Sequence, residues 1–399
     1  MRTKDRTLLD RLPRNTAGPP GTVLYAAQGG YSAVLSAVSP TLAEAQKTWP
    51  MSNTAMGLYP SLLAGAMIVA GFGYTRWAAR KGRAFVLSVA AGVVALGAAA
   101  AALAPSPLVL LLAVAGLGLS TTAVQAGVMS AHVDRGSGDQ ARRLALNGLC
   151  ASLASLTGPL AVTIAVHTGL GWRGAWWWLA AVFVVLAVLL PSAVPDGRGG
   201  LAESRERRRG RLPLSYWCVT VGVAAGVAGE ICVVFFSPRA MPVTGLVSSG
   251  SVLLLYYVGE LCGRAVSYAV TFRQGTEGPL LAGSLLLALG GFGAFWLAES
   301  TGVRLAGLVA AGAGIANFFP IGASVVSARA PGASDQAMSG LHLLVGAATL
   351  TGPLLLGTVA DRAGLHAAFA LVPALFLTMA ALLGAGTLTT SRQDVARCR

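Results

Sequence analysis

Three ionisable side chains lie deep inside otherwise apolar stretches, away from their ends: Glu230, Glu260 and Arg264. A charge at the centre of a bilayer costs about 3 kcal/mol or more, so each invites a functional reading. Glu260 and Arg264 are four residues apart and share a helix face. They suit either a site that handles protons or substrate charge, or a self-satisfied ion pair that fixes packing. Glu230 has no basic residue within a turn, which favours a coupling or substrate role. A carboxylate in low dielectric holds its proton to higher pH and can exchange it near neutrality. His342 offers a further protonatable group; a packed neutral histidine is the competing reading.

Polar and aromatic side chains recur in the same apolar runs: Tyr25, Gln28, Tyr31, Gln125, Asn147, Tyr256, Tyr257 and Asn317. A mostly apolar cavity with a few placed polar groups is what a small organic ligand needs. Hydrogen bonds between helices explain the same residues without a ligand. No catalytic motif accompanies them. There is no Walker A lysine loop and no C-x-x-C pair, and the four His are scattered. Neither an enzyme, an ATP-driven pump nor a metal site is expected, and no cofactor is needed beyond a proton gradient.

The elements that must position these groups follow from composition. Of 399 residues, 55% are hydrophobic and 11% charged, and mean hydropathy is +0.68. Soluble domains carry about 25% charged residues, so a water-exposed surface is excluded. A spanning helix needs about 20 apolar residues. Such runs fall at 22–45, 53–78, 84–104, 107–131, 141–168, 173–191, 214–238, 245–271, 278–299, 303–328, 335–361 and 365–388. They are continuous rather than alternating, which excludes a β-barrel. Residues 1–21 are polar and basic, without the apolar core of a cleaved signal. With that segment inside, 23 of the 29 Lys and Arg fall on inner segments. Five fall outside: Lys47, Arg173, Arg239, Arg304 and Arg362. The excess of +14 is therefore topological, and both termini are expected to be cytoplasmic. The Arg-rich connection 192–213 reads as an anchor and linker, not as a nucleic-acid site. Trp176, Trp177 and Trp178 suit an interfacial belt. Arg outnumbers Lys 26 to 3, which suggests GC-rich coding and a bacterial inner membrane.

The linker divides the chain into bundles 22–191 and 214–388, with a tail at 389–399. The two are copies. Leu-Thr-Gly-Pro-Leu occurs at 156–160 and 350–354, each after an Asp-Gln-Ala. Gly116 and Gly118 recur as Gly312 and Gly314, and Ser39-Pro40 as Ser237-Pro238. These offsets of 194 to 198 give parallel repeats related by an axis along the membrane normal.

In that arrangement the chain resembles the major facilitator superfamily, and its twelve-span drug/proton antiporter branch in particular. Arg80-Lys81-Gly82-Arg83 matches the end of the family's loop between spans 2 and 3, with Thr75 and Ala79 at its Gly and Asp positions. Gly116 and Gly118 match a span 4 pattern whose Arg is replaced by Leu112. Gly158-Pro159 matches the exporters' span 5 motif, and Gly171-Trp172-Arg173 the loop after it. Gly357 to Gly364, with Asp361-Arg362, fits the loop pattern at an outer position. The resemblance implies an all-α, twelve-helix fold of two six-helix bundles rocking about a central site. It implies Arg80, Gly82 and Arg83 as a gating loop, and Gly158-Pro159 with its copy Gly352-Pro353 as conformational elements. The expected activity is proton-coupled efflux of a small amphipathic compound. The expected partners are that substrate, protons and the lipid bilayer, with the protein a monomer. A uniporter or importer, and a non-transporting receptor or membrane enzyme on the same scaffold, are the alternatives.

Overall fold

The computed structural model describes residues 19–134, 140–194, 212–241, 247–270, 277–330 and 334–397. Most of the Arg-rich linker and the first eighteen residues lie outside them. In lipid every backbone N–H and C=O must be satisfied within its own segment, and the described residues accordingly form helices without a β-strand.

The first half holds α1 (Pro19–Thr48), α2 (Asn53–Lys81), α3 (Arg83–Leu103), α4 (Pro107–Asp134), α5 (Gln140–Ser155), α6 (Thr157–His167) and α7 (Arg173–Ala193). The second holds α8 (Leu214–Ala240), α9 (Ser249–Val270), α10 (Glu277–Leu297), α11 (Thr301–Ile315), α12 (Phe318–Ala328), α13 (Ser334–Ala363), α14 (Leu365–Ala368) and α15 (Leu371–Arg397). Among the described residues, ten segments are long and apolar enough to cross a membrane. The remaining long helices, α1 and α9, pack among them.

Three expected spans are broken, at Leu156, at Ala316-Asn317 and at Phe369-Ala370. Each break lies three or four residues before a proline: Pro159, Pro320 and Pro373. A proline ring lacks an N–H and collides with the carbonyl four residues back, which interrupts the ladder there. The last helix continues to Arg397, beyond residue 388 where its apolar run ends. No Gly or Pro follows Gly386 to stop it.

Within the first half α3 packs on α7 and α1 on α5; within the second α8 packs on α15 and α9 on α11. The fully buried side chains include Trp176, Tyr216, Phe236 and Phe376. Leu96, Val188 and Leu286 are more than 70% exposed, as a lipid-facing surface requires. The halves meet along α2–α13, α6–α9, α5–α9 and α1–α8. Loops 49–52 and 168–172 lie at one end of the bundle, the Trp49 end. Gly82 lies at the other and is the whole link between α2 and α3, at φ 84°.

Candidate functional site

The site is built mainly on α8 and α9. Gly259 and Gly263 press on α11, where an added methyl would strike the Val309 and Ala313 carbonyls. Backbone therefore touches backbone, and α9 has one rotational setting. Each residue turns a helix by about 100°, so Glu260 and Arg264 point off that seam. At about 1.5 Å per residue, Glu230 and Glu260 both lie about 15 Å from the Trp49 end. Gly222, Gly226 and Gly229 of α8 seat Leu382, Met379 and Phe376 of α15. Those small faces thus receive side chains, whereas the α9 glycines receive main chain.

Glu260 is buried and pairs with Arg264 at 2.5 Å. The same guanidinium donates to Ser152 Oγ, on α5 of the other half, at 2.6 Å. Glu230 lies within electrostatic reach of both groups, as do Tyr256 and Tyr257. Glu230 is half-buried and makes no ion pair among the described residues. The structure thus brings together five of the sequence-selected residues and adds Ser152, which the sequence reading overlooked. Nothing local marks Ser152; only its partner across the seam does.

On the facing half Tyr31 of α1 and Gln125 of α4 lie near each other. Gln28 is buried with its Oε1 unpaired, and the fully buried Tyr256 hydroxyl is unpaired too. Tyr25 stacks on His132 at 4.8 Å. Asn147 is buried and donates to Met129 Sδ.

Two candidates stand elsewhere. Asn317 is enclosed between helices: its Oδ1 accepts from Ser267 Oγ at 2.6 Å and its Nδ2 donates to Ser284 Oγ at 3.0 Å. Both ends of its amide are thus bonded at the α11–α12 break. His342 is exposed, with its ring on Phe319 and Nδ1 2.7 Å from the Met338 carbonyl oxygen. It is not among the groups that act electrostatically on Glu230. In the loop at the Gly82 end, Arg80 is exposed and Arg83 half-buried.

The two Gly-Pro pairs occupy matching places. Gly158 packs on Ala33 and Ser36 of α1, and Gly352 on Ala228 of α8, each within its own half. The next carbonyl of each faces the opposite half: Pro159 lies against Gly250, and Pro353 against Gly57. Ser61 Oγ also donates to the Leu350 carbonyl at 2.5 Å, and Ser39 Oγ to the Val234 carbonyl at 2.5 Å. Close contacts between halves thus gather toward the Trp49 end. A cavity of about 560 Å³ lies there, lined by Gln46, Lys47, Met51, Arg239, Met241 and Ser249 among others.

Comparison with known proteins follows this geometry. A family model described as "Major Facilitator Superfamily" matches residues 24–306. Curated protein sequences give no match. Among solved structures, a bacterial homologue of the human lysosomal transporter Spinster, inward-facing and occupied, is similar with a TM-score of 0.70 and 16% identity. The alignment covers 93% of this chain and 96% of that one. The nucleoside transporter NupG is similar with a TM-score of 0.69 and 12% identity, over 93% and 99% of the two chains.

Proposed function

This chain belongs to the major facilitator superfamily, and from that premise we propose a proton-coupled exporter of a small amphipathic organic compound. The ten spans become twelve with α1 and α9, giving two six-helix halves with both termini cytoplasmic. The polar residues of α1 and α9 that lower their hydropathy include those of the site. On this reading, the multi-pass protein lies in the bacterial inner membrane and works as a monomer.

The observation that carries the reading is the mid-depth cluster of Glu230, Glu260 and Arg264 at the seam between halves. Arg264 is held by Glu260, so Glu230 is the carboxylate left to exchange a proton. Tyr256, Tyr257, Tyr31 and Gln28 supply the apolar faces and few polar atoms that an amphipathic molecule requires. The charge asymmetry makes the Trp49 end external. The gathered contacts at that end support an inward-facing state, the state named for the Spinster homologue. Direction of transport follows the resemblance of Gly158-Pro159 to the exporters' motif.

The test uses everted vesicles acidified inside by respiration, with acridine orange quenched by the gradient. A panel of amphipathic dyes and antibiotics should dequench it through the parent protein. Glu230→Gln and Glu260→Gln should abolish dequenching while the purified variants still bind the active compound. Parent-like dequenching in both variants would refute proton coupling through these groups.

A further inference from the structure

Two carboxylates outside the site, Glu44 and Asp361, sit at the Trp49 end and reach across the halves. Asp361, near the end of α13, accepts four hydrogen bonds from the start of α2. They come from the N–H of Asn53 at 2.6 Å, its Nδ2 at 2.8 Å, the N–H of Thr54 at 2.8 Å and its Oγ1 at 2.6 Å. Glu44, near the end of α1, accepts from Ser249 Oγ, the first residue of α9, at 2.8 Å. Each carboxylate has a cation beside it. Lys47 pairs with Glu44 at 2.6 Å, and Arg239, which faces Asp361, donates to Asn53 Oδ1.

The two helix starts correspond, although the carboxylates come from helices, α13 and α1, that are not copies of each other. Asn53 and Ser249 open α2 and α9 and differ by 196 in number, the offset of the internal repeat. We infer that Asp361 and Glu44 are a pair of latches, each half closing the Trp49 end by seating a carboxylate on the first turn of the other half's second helix.

The first N–H groups of a helix have no partner within it and carry a partial positive charge. A carboxylate there makes charge-assisted hydrogen bonds. All of these bonds join opposite halves, so all must break when that end parts. Asp361 is exposed and water can replace its donors, whereas Glu44 is buried. Neither latch locks the end irreversibly, yet both bias it toward closure. The inference rests on the alternating-access reading only in requiring two halves that move apart.

The experiment measures that parting without substrate or gradient. Spin labels are placed on Thr48→Cys and Thr301→Cys, exposed positions on opposite halves at this end, after replacement of the five native cysteines. Pulsed dipolar distances are recorded on the full chain in lipid nanodiscs. Asp361→Asn and Glu44→Gln should each raise the ratio of long to short distances by roughly tenfold, and the double variant by more than either. Ser249→Ala and Thr54→Val remove donors from the opposite half and should move the ratio the same way. They substitute for any carboxylate variant that is not monodisperse. A double variant with the parent's distance distribution would overturn the latches. Because no flux is read, that outcome leaves the proton-coupling test standing, and a failed coupling test leaves this one standing.

Discussion

Gly158→Ala and Gly352→Ala make the same change in the two copies of one motif, and the structure predicts unequal results. At Gly158 the new methyl would overlap Ser36 Oγ and the Ala33 carbonyl of α1, with the Ala37 nitrogen 2.7 Å away. Two of those three atoms are backbone, so α1 and α6 must separate by on the order of 1 Å. Overpacking of this kind costs about 1–3 kcal/mol, and unyielding backbone places it near the top of that range. Alanine returns about 1 kcal/mol in helix propensity, which leaves about 2 kcal/mol of net loss. At Gly352 the nearest atoms are Ala228 Cβ at 3.2 Å and the Ala228 carbonyl oxygen at 3.5 Å. A few tenths of an ångström of movement accommodates the methyl, and propensity roughly cancels the cost. In domains of the size of each half, about 1 kcal/mol moves the melting midpoint by about 2–4 °C. Gly158→Ala should therefore melt about 4–8 °C below Gly352→Ala, which should stay near the parent. Thermal unfolding in detergent, followed by labelling of the buried Cys232 with a thiol-reactive dye, reads this directly. Equal midpoints for the two variants would refute the packing argument.

Three further outcomes follow from the same geometry. Arg264→Met alone leaves buried Glu260 without its partner and should destabilise by about 1–2 kcal/mol, below the range for a fully buried pair because the guanidinium is partly exposed. Arg264→Met with Glu260→Gln should recover part of that loss, and a double variant no better than the single one would contradict the pairing. Asn317→Ala removes two buried hydrogen bonds, leaving Ser267 and Ser284 without those partners; a loss of about 2–3 kcal/mol in the same melting assay is expected. Gly82→Ala meets no neighbouring atom but must hold φ 84° and ψ 148°, a region nearly reserved for glycine. It should cost about 1–3 kcal/mol through backbone strain alone, and an unchanged midpoint would show that the turn relaxes.

The helical segments were legible because a bilayer demands long apolar runs, and their observed ends lie within a few residues of the expected ones, except that the last helix runs on to Arg397. The repeat was legible in Gly158-Pro159 and Gly352-Pro353, which the fold places on matching seams. The pairing of Glu260 with Arg264 was legible from spacing alone. Which face of a helix meets the cavity was not. In lipid both the packed face and the outer face are apolar, so periodicity loses the contrast it has in water. A polar residue in a span, such as Asn317, signals burial against something, without saying against what. Ser152, Glu44 and Asn53 carry no local signal, because their partners are about a hundred to three hundred residues away. Asp361 was visible only as part of a displaced motif copy, and the repeat offset between Asn53 and Ser249 gives that copy its meaning.

The proline-linked breaks have a mechanical consequence. A helix with an interrupted ladder bends more easily there than an intact one. In the first half the break lies at Leu156, beside the Gly158-Pro159 seam, while the copy of that segment in α13 runs unbroken through Pro353. In the second half a break falls instead at Ala316-Asn317, where α4, the corresponding helix of the first half, is continuous. The halves share a sequence plan but differ in where they are compliant. Asn317, at the second break, is bonded to Ser267 on α9, the helix that carries Glu260 and Arg264. A change of charge at the centre can therefore be relieved by bending in the second half at that joint, while the first half bends beside the seam. Duplication made the two halves alike in fold; the breaks at Leu156 and at Ala316-Asn317 made them unlike as springs.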